Sequence, residues 1–182
     1  MGERPQLRML WPAARLHAVP PPALPEGYAV RAYRPGDEPR FYDLMALAGW
    51  SGWDGKRLSY SLNRILPDGW YLAEHTASGT VVASAMALHN YKGTYPFWGE
   101  LGWLAAHPDH SRQGLGLALS ACVVRRFVAA GYRLIHLHTE EFRLAAIKTY
   151  LNLGFEPWMD GPNSQAQWTR VLDRLGWKAG YP

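Results

Sequence analysis

The sequence predicts a mixed α/β domain, and three kinds of local pattern support this fold class. Alternating side chains predict strands, as in YAVRA at positions 28–32. Apolar residues at helical spacing predict helices, as Leu115, Leu119, Val123 and Phe127 do. Glycines and prolines separate these stretches at short intervals. With 182 residues, the chain is long enough for one domain with a full core.

The predicted elements follow one another from residue 27 onward. The first 26 residues carry six prolines and are predicted to form an extended N-terminal arm, with the domain over residues 27–182. In chain order we predict a strand at 28–32, helices at 37–49 and 54–66, strands at 70–75, 80–91 and 95–108, a helix at 115–130, a strand at 132–140, a helix at 142–154 and two final strands at 155–160 and 165–172. Within the strand at 95–108, Gly99 and Gly102 predict a bulge or the close approach of another group.

Composition excludes several classes of protein. The net charge is +4, but the Lys and Arg residues are scattered rather than clustered, which favours a phosphate-bearing small molecule over nucleic acid. The single cysteine, Cys122, cannot form an intrachain disulfide. There is no apolar run of 18 residues and no signal-like segment, so we expect no membrane partner and a cytoplasmic location.

A glycine-rich turn joins the fourth predicted strand to the third helix. It reads HPDHSRQGLGLAL at positions 107–119. The free N–H groups and the dipole of a helix N-terminus bind anions, and glycine lets a phosphate approach the backbone. A P-loop would need Lys and Ser or Thr where Leu117 and Ala118 stand, and a dinucleotide fingerprint would need Gly or Ala at Leu119.

This stretch resembles the acetyl-CoA loop of the GNAT acyltransferase superfamily, whose pattern is Gln/Arg-x-x-Gly-x-Gly/Ala. A second block, FRLAAIKTYLNLGFEPW, resembles that family's Asn-x-x-Ala-x-x-x-Tyr motif with its Leu-Gly-Phe close. The likeness covers about residues 27–172 and includes the order of the elements. It implies a mostly antiparallel sheet of six to seven strands with about four helices. Two positions depart from the pattern, because Ser111 stands for Gln or Arg and Arg143 for Asn.

The resemblance implies acetyl-CoA as cosubstrate, with no metal. The pyrophosphate would lie on the loop formed by Arg112, Gln113, Gly114, Leu115, Gly116 and Leu117. The pantetheine arm would run beside Leu104, Ala105 and Ala106 and bond to their backbone as an added strand would. Arg143 would either contact coenzyme A or merely begin a helix.

The same resemblance implies direct attack of an amine on the thioester, which needs a base and an acid. Tyr150 stands where the family carries its acid, unless it is a packing residue. Glu100 is a candidate base, because Trp98 and Trp103 would remove it from water. His138 is the rival base. His136 and His138 alternate onto one face, but without a third ligand nearby we expect no metal there.

Trp50, Trp53 and Trp98 are predicted to bind the acceptor, the first two because they flank glycines in a predicted loop. We therefore expect an acetyl-CoA-dependent N-acetyltransferase acting on a primary amine of a small molecule. Two alternatives stay open: a protein N-terminal or lysine acetyltransferase, and a catalytically silent acyl-CoA sensor or interaction module. The sequence also leaves the oligomeric state open, with a homodimer as one state.

Overall fold

The computed structural model describes residues 6–177, which form a seven-stranded sheet with helices on both faces. The strands are β1 (Leu7–Leu10), β2 (Tyr28–Ala32), β3 (Ile65–His75), β4 (Thr80–His89), β5 (Trp98–Ala106), β6 (Leu134–Thr139) and β7 (Glu156–Pro157). The helices are α1 (Glu38–Leu47), α2 (Gly55–Leu62), α3 (Leu115–Ala129), α4 (Leu144–Leu153) and α5 (Pro162–Leu175). None of the described helices is long and apolar enough to cross a bilayer.

The strand order is β2-β3-β4-β5-β6-β1-β7, and the sheet is mostly antiparallel. Among the described strands only β5 and β6 run parallel, and they pair through Trp98–Glu100 and Leu134–His136. One core lies under α3, α4 and α5, where Phe127, Ile147 and Trp168 are fully buried. A second core, which includes Phe41, lies under α1 and α2. The predicted fold class is confirmed.

Three local predictions were wrong. Residues 7–10, which we assigned to the arm, form β1 inside the sheet between β6 and β7. Residues 165–172 lie in α5 rather than in a strand, because buried Trp168 and Val171 have helical spacing. The second helix ends at Leu62 instead of continuing to residue 66, where β3 has already begun.

The glycines of β5 have the roles that the sequence suggested. A Cβ at Gly99 would collide with the ring of Phe127 in α3, so glycine allows the helix to approach the strand closely. Beyond Gly102 the register with β4 shifts, and Trp103 adopts a left-handed φ of +51°. This bulge turns the second half of β5.

Candidate active site

A pocket opens where β5 and β6 separate. Within residues 6–177 the two strands pair only as far as Glu100 and His136. Beyond that point β5 keeps β4 on one side, while its other edge from Leu101 to Ala106 pairs with no described strand. The resulting pocket has a volume of about 160 Å³. Its wall includes both strands, α4 and the loops beside them.

Glu100 lies at the point of separation, together with both histidines of β6. Its carboxylate is buried, with the residue 7% exposed. Glu100 Oε1 lies 3.4 Å from Nδ1 of His138, and Oε2 lies 3.9 Å from Nε2 of His136. The sequence placed each of these residues on its strand, but only the parallel register of β5 and β6 brings the three together.

His136 is neutral at pH 7. It is only 2% exposed, and burial lowers the pKa of its imidazole to about 4, although the nearby Glu100 carboxylate acts in the opposite direction. The contact between His136 and Glu100 is therefore not an ion pair near neutrality.

Tyr150 of α4 lies in the wall of the same pocket. Its side chain is 5% exposed, and burial raises the pKa of the phenol; Arg143 has a smaller effect in the opposite direction, and Glu140 a smaller effect in the same direction. A phenol with a raised pKa stays protonated, so it is able to donate a hydrogen bond. It is a weaker proton donor than a tyrosine in water.

Arg143 faces the pocket rather than lying free at the start of α4. Its Nε donates a 2.7 Å hydrogen bond to Oε2 of Glu140, and its guanidinium lies 4.1 Å above the ring of Trp50. Both partners also line the pocket. Arg143 therefore holds a carboxylate and an indole ring in place at the mouth.

The three predicted acceptor-binding tryptophans do not share one place. Trp50 lines the pocket. Trp53 is buried behind it, with its ring 4.6 Å from that of Trp103. Trp98 stacks with Trp158 at 5.3 Å, beside His136 and outside the described lining of the pocket.

The lining residues that the sequence analysis did not name as site residues include Tyr91, Trp103 and Glu140. They come from the loop after β4, from the bulge of β5 and from the end of β6. Only the bulge had a sequence signal, which was Gly102.

The glycine-rich turn leads directly into the N-terminus of α3. Gly114 has a φ of +76° and directly precedes α3, and Arg112 has a φ of +62°. A Cβ on Gly116 would lie 3.8 Å from the side chain of Leu104 and 3.7 Å from that of Thr149. The first turn of α3 therefore lies against both β5 and α4.

Comparisons with known proteins agree with this geometry. The model of the "Acetyltransferase (GNAT) family" matches residues 31–155. The chain is 30% identical over 165 residues to a mycothiol acetyltransferase of Actinosynnema mirum, covering 87% of this chain and 54% of that protein. It is 31% identical over 164 residues to a mycothiol acetyltransferase of Thermobispora bispora, covering 83% and 55%.

A crystal structure of a GCN5-related N-acetyltransferase from Sphaerobacter thermophilus has the same fold, with a TM-score of 0.65 at 24% identity over 85% of this chain and 50% of that one. The chain belongs to the GNAT acetyltransferase family, which confirms the resemblance stated above. It spans about half the length of the curated relatives it matches.

Proposed function

We propose that the chain transfers an acetyl group from acetyl-CoA to a primary amine of a small molecule. The observation that carries the proposal is the buried carboxylate of Glu100, which lies where β5 and β6 separate and lines one pocket with Tyr150. A proton acceptor and a hydrogen-bond donor in one small cleft are what attack of an amine on a thioester requires.

The residues at the cleft fit coenzyme A. The family uses acetyl-CoA as its acyl donor. The unpaired edge of β5 at Leu104, Ala105 and Ala106 can bond to the amides of a pantetheine arm as a partner strand would. The turn from Arg112 to Leu117 offers the N-terminus of α3 to the pyrophosphate, and Arg112 adds a positive charge there. When bound, acetyl-CoA supplies the acetyl group as a reactive thioester.

We assign the base role to Glu100 and a hydrogen-bonding role to Tyr150. The Glu100 carboxylate accepts the proton that the ammonium group of the acceptor must lose before it can attack. His138, 3.4 Å from Glu100, is the alternative acceptor of that proton. Tyr150 stays protonated and donates a hydrogen bond toward the sulfur that leaves, rather than giving up its proton completely.

The acceptor side of the pocket favours a small cation. Glu100 and Glu140 contribute negative charge to its wall, and Trp50 and Tyr91 contribute aromatic rings, which attract ammonium groups. Arg143 is tied to Glu140 and lies over Trp50, so in this structure it is engaged with pocket residues and we give it a positioning role. Because the relatives are mycothiol acetyltransferases, unacetylated mycothiol is the first acceptor to test.

The test has two stages. Acetyl-CoA at 100 times its dissociation constant should stabilise the fold by about 2.7 kcal/mol in thermal unfolding, whereas NADH and ATP should not. The protein is then assayed for release of free coenzyme A with a panel of amines that includes unacetylated mycothiol. Binding without transfer to any amine would favour the silent sensor, transfer only to peptides would favour a protein acetyltransferase, and failure to bind acetyl-CoA would refute the proposal.

The cytoplasmic location, the lack of a nucleic-acid partner and the homodimer stay predictions of the sequence.

A further inference from the structure

We propose that Glu100, His136 and His138 form a binding site for a zinc ion. Each of the three offers one ligand atom, and these atoms lie within 4.8 Å of one another. Two imidazoles and one carboxylate are a ligand set that protein zinc sites use, with a water molecule as the fourth ligand. The two histidines of β6 alone are too few ligands for a zinc ion, and Glu100 of the neighbouring strand supplies the third ligand.

The distances between the ligand atoms agree with a tetrahedral ion. Bonds of about 2.0–2.1 Å at tetrahedral angles place neighbouring ligand atoms about 3.4 Å apart. Oε1 of Glu100 lies 3.4 Å from Nδ1 of His138, and Oε2 lies 3.9 Å from Nε2 of His136. With one ligand atom from each residue, the set lies within 4.8 Å, so the site needs the three side chains to move closer by about 1 Å or less to reach tetrahedral spacing.

The Nδ1 atom of His138 is not engaged by other described side chains and is available to coordinate an ion. This atom is buried, yet it makes no hydrogen bond with any described residue. A buried polar atom without a partner costs about 1–3 kcal/mol. Coordination to a metal ion would satisfy this atom, which lies beside the carboxylate that would share the ion.

There is space for the ion and its water, and the nearby cations are already engaged. A cavity of about 120 Å³ borders all three ligands, with Tyr95 and Lys92 in its wall. Lys92 Nζ donates a 2.9 Å hydrogen bond to Gln6, and Arg8 forms an ion pair with Asp160. Neither cation is paired with Glu100, so the carboxylate is free to balance part of the charge of a zinc ion.

If Glu100 is the base, zinc binding and acetyl transfer exclude each other. The ion would occupy the oxygen lone pair that accepts the proton of the amine. This consequence rests on the proposed function, whereas the site itself does not. We therefore expect zinc to inhibit transfer reversibly, with activity restored by a chelator.

Binding is measured directly on the full chain after treatment with a chelator. Zinc is titrated in competition with a chromophoric chelator, and we expect one ion per chain. Cobalt(II) is added as a spectroscopic probe, because a four- or five-coordinate cobalt ion with nitrogen ligands gives visible absorption bands far more intense than the weak bands of hexaaquacobalt. Zinc should abolish those bands by displacement.

Variants show which residues hold the ion. Glu100→Gln and His138→Asn should each weaken zinc binding by at least about tenfold, since loss of a supporting contact alone costs 10–100-fold. His110→Asn is the matched control, because His110 lies in a separate histidine group with His75 and His107. Each variant is first checked by thermal unfolding, and His138→Asn carries the test if a more buried variant fails to fold.

Three outcomes would overturn the site: less than one zinc per chain, no visible cobalt bands, or binding that is lost in His110→Asn but kept in the two ligand variants. The proposed function can fail separately. A protein that binds one zinc but transfers no acetyl group keeps the site and loses the enzyme. A protein that transfers acetyl groups but binds no zinc keeps the proposed function and refutes the zinc site.

Discussion

Replacing Glu100 with Gln tests the proposed base most directly. Gln keeps the shape of the side chain but does not accept a proton, so the change removes the base and little else. Among residues 6–177, two imidazoles lie within 4 Å of the Glu100 carboxylate and could accept a proton: His136 at 3.9 Å and His138 at 3.4 Å. His136 is held neutral by burial in a strand pair and does not reach into the main pocket.

A base contributes about 10²–10⁴-fold to the rate, so kcat should fall by that factor. The loss corresponds to about 3–5 kcal/mol of activation free energy. The Michaelis constant for acetyl-CoA should change little, because its proposed contacts lie on the β5 edge and on the turn before α3. Unfolding should also change little, since the variant places an amide of the same size where a buried carboxyl group was.

The assay follows the release of free coenzyme A under saturating acetyl-CoA. Glu156→Gln is the control, because Glu156 is an exposed carboxylate on β7. If Glu100→Gln loses less than about tenfold while His138→Asn loses more than a hundredfold, then His138 is the base and our assignment is refuted. If neither variant loses activity, the proton leaves by another path.

Three further expectations follow from single residues. Gly114→Ala forces a side chain into a φ of +76°, so it should destabilise the fold by about 1 kcal/mol and weaken acetyl-CoA binding, as thermal shift and calorimetry would measure. Tyr150→Phe should lower kcat by about tenfold, the value of one hydrogen bond, with thermal unfolding unchanged; an unchanged kcat would remove its role. Asp37→Asn should destabilise the fold by about 1–3 kcal/mol, because Asp37 accepts 2.7 and 2.8 Å hydrogen bonds from Arg31, which keeps Glu74 as its other partner. Since the hydrogen bonds from Arg31 lower the pKa of Asp37, its stabilisation is present above the unfolded value of about 4 and is lost as the pH falls below it, so denaturant titrations of both proteins should converge at acid pH.

The fold was predictable where the sequence carries a strong period or a motif. The turn at 107–119 and the helix that contains Tyr150 were placed correctly, because glycines and apolar spacing mark both. The final helix was mistaken for a strand because Trp168, Thr169 and Val171 are typical strand residues. Packing of Trp168 and Val171 on one helix face outweighed that preference.

The site was predictable only in part, because its geometry depends on contacts between strands. Glu100 and His138 were each found as candidates, but the distance between them follows from the parallel register, which no local pattern contains. The same holds for Tyr91 and Glu140, which come from segments at the ends of β4 and β6. Trp98 was assigned to the correct strand, but its ring stacks with Trp158 instead of lining the pocket.

Strand β1, which the sequence analysis assigned to the N-terminal arm, stabilises the strand that borders the pocket. Strand β6 leaves β5 after His136, and a strand that loses a neighbour exposes its backbone groups. Its other edge is covered by β1, which pairs Leu10 with His136 and Leu7 with Thr139. Leu7 and Met9 are buried on the core side, so β1 is anchored by packing as well as by hydrogen bonds. Strand β1 thereby holds β6, and with it His136 and His138, in place while β5 turns away, and the cleft opens on the side of β6 that β1 does not cover.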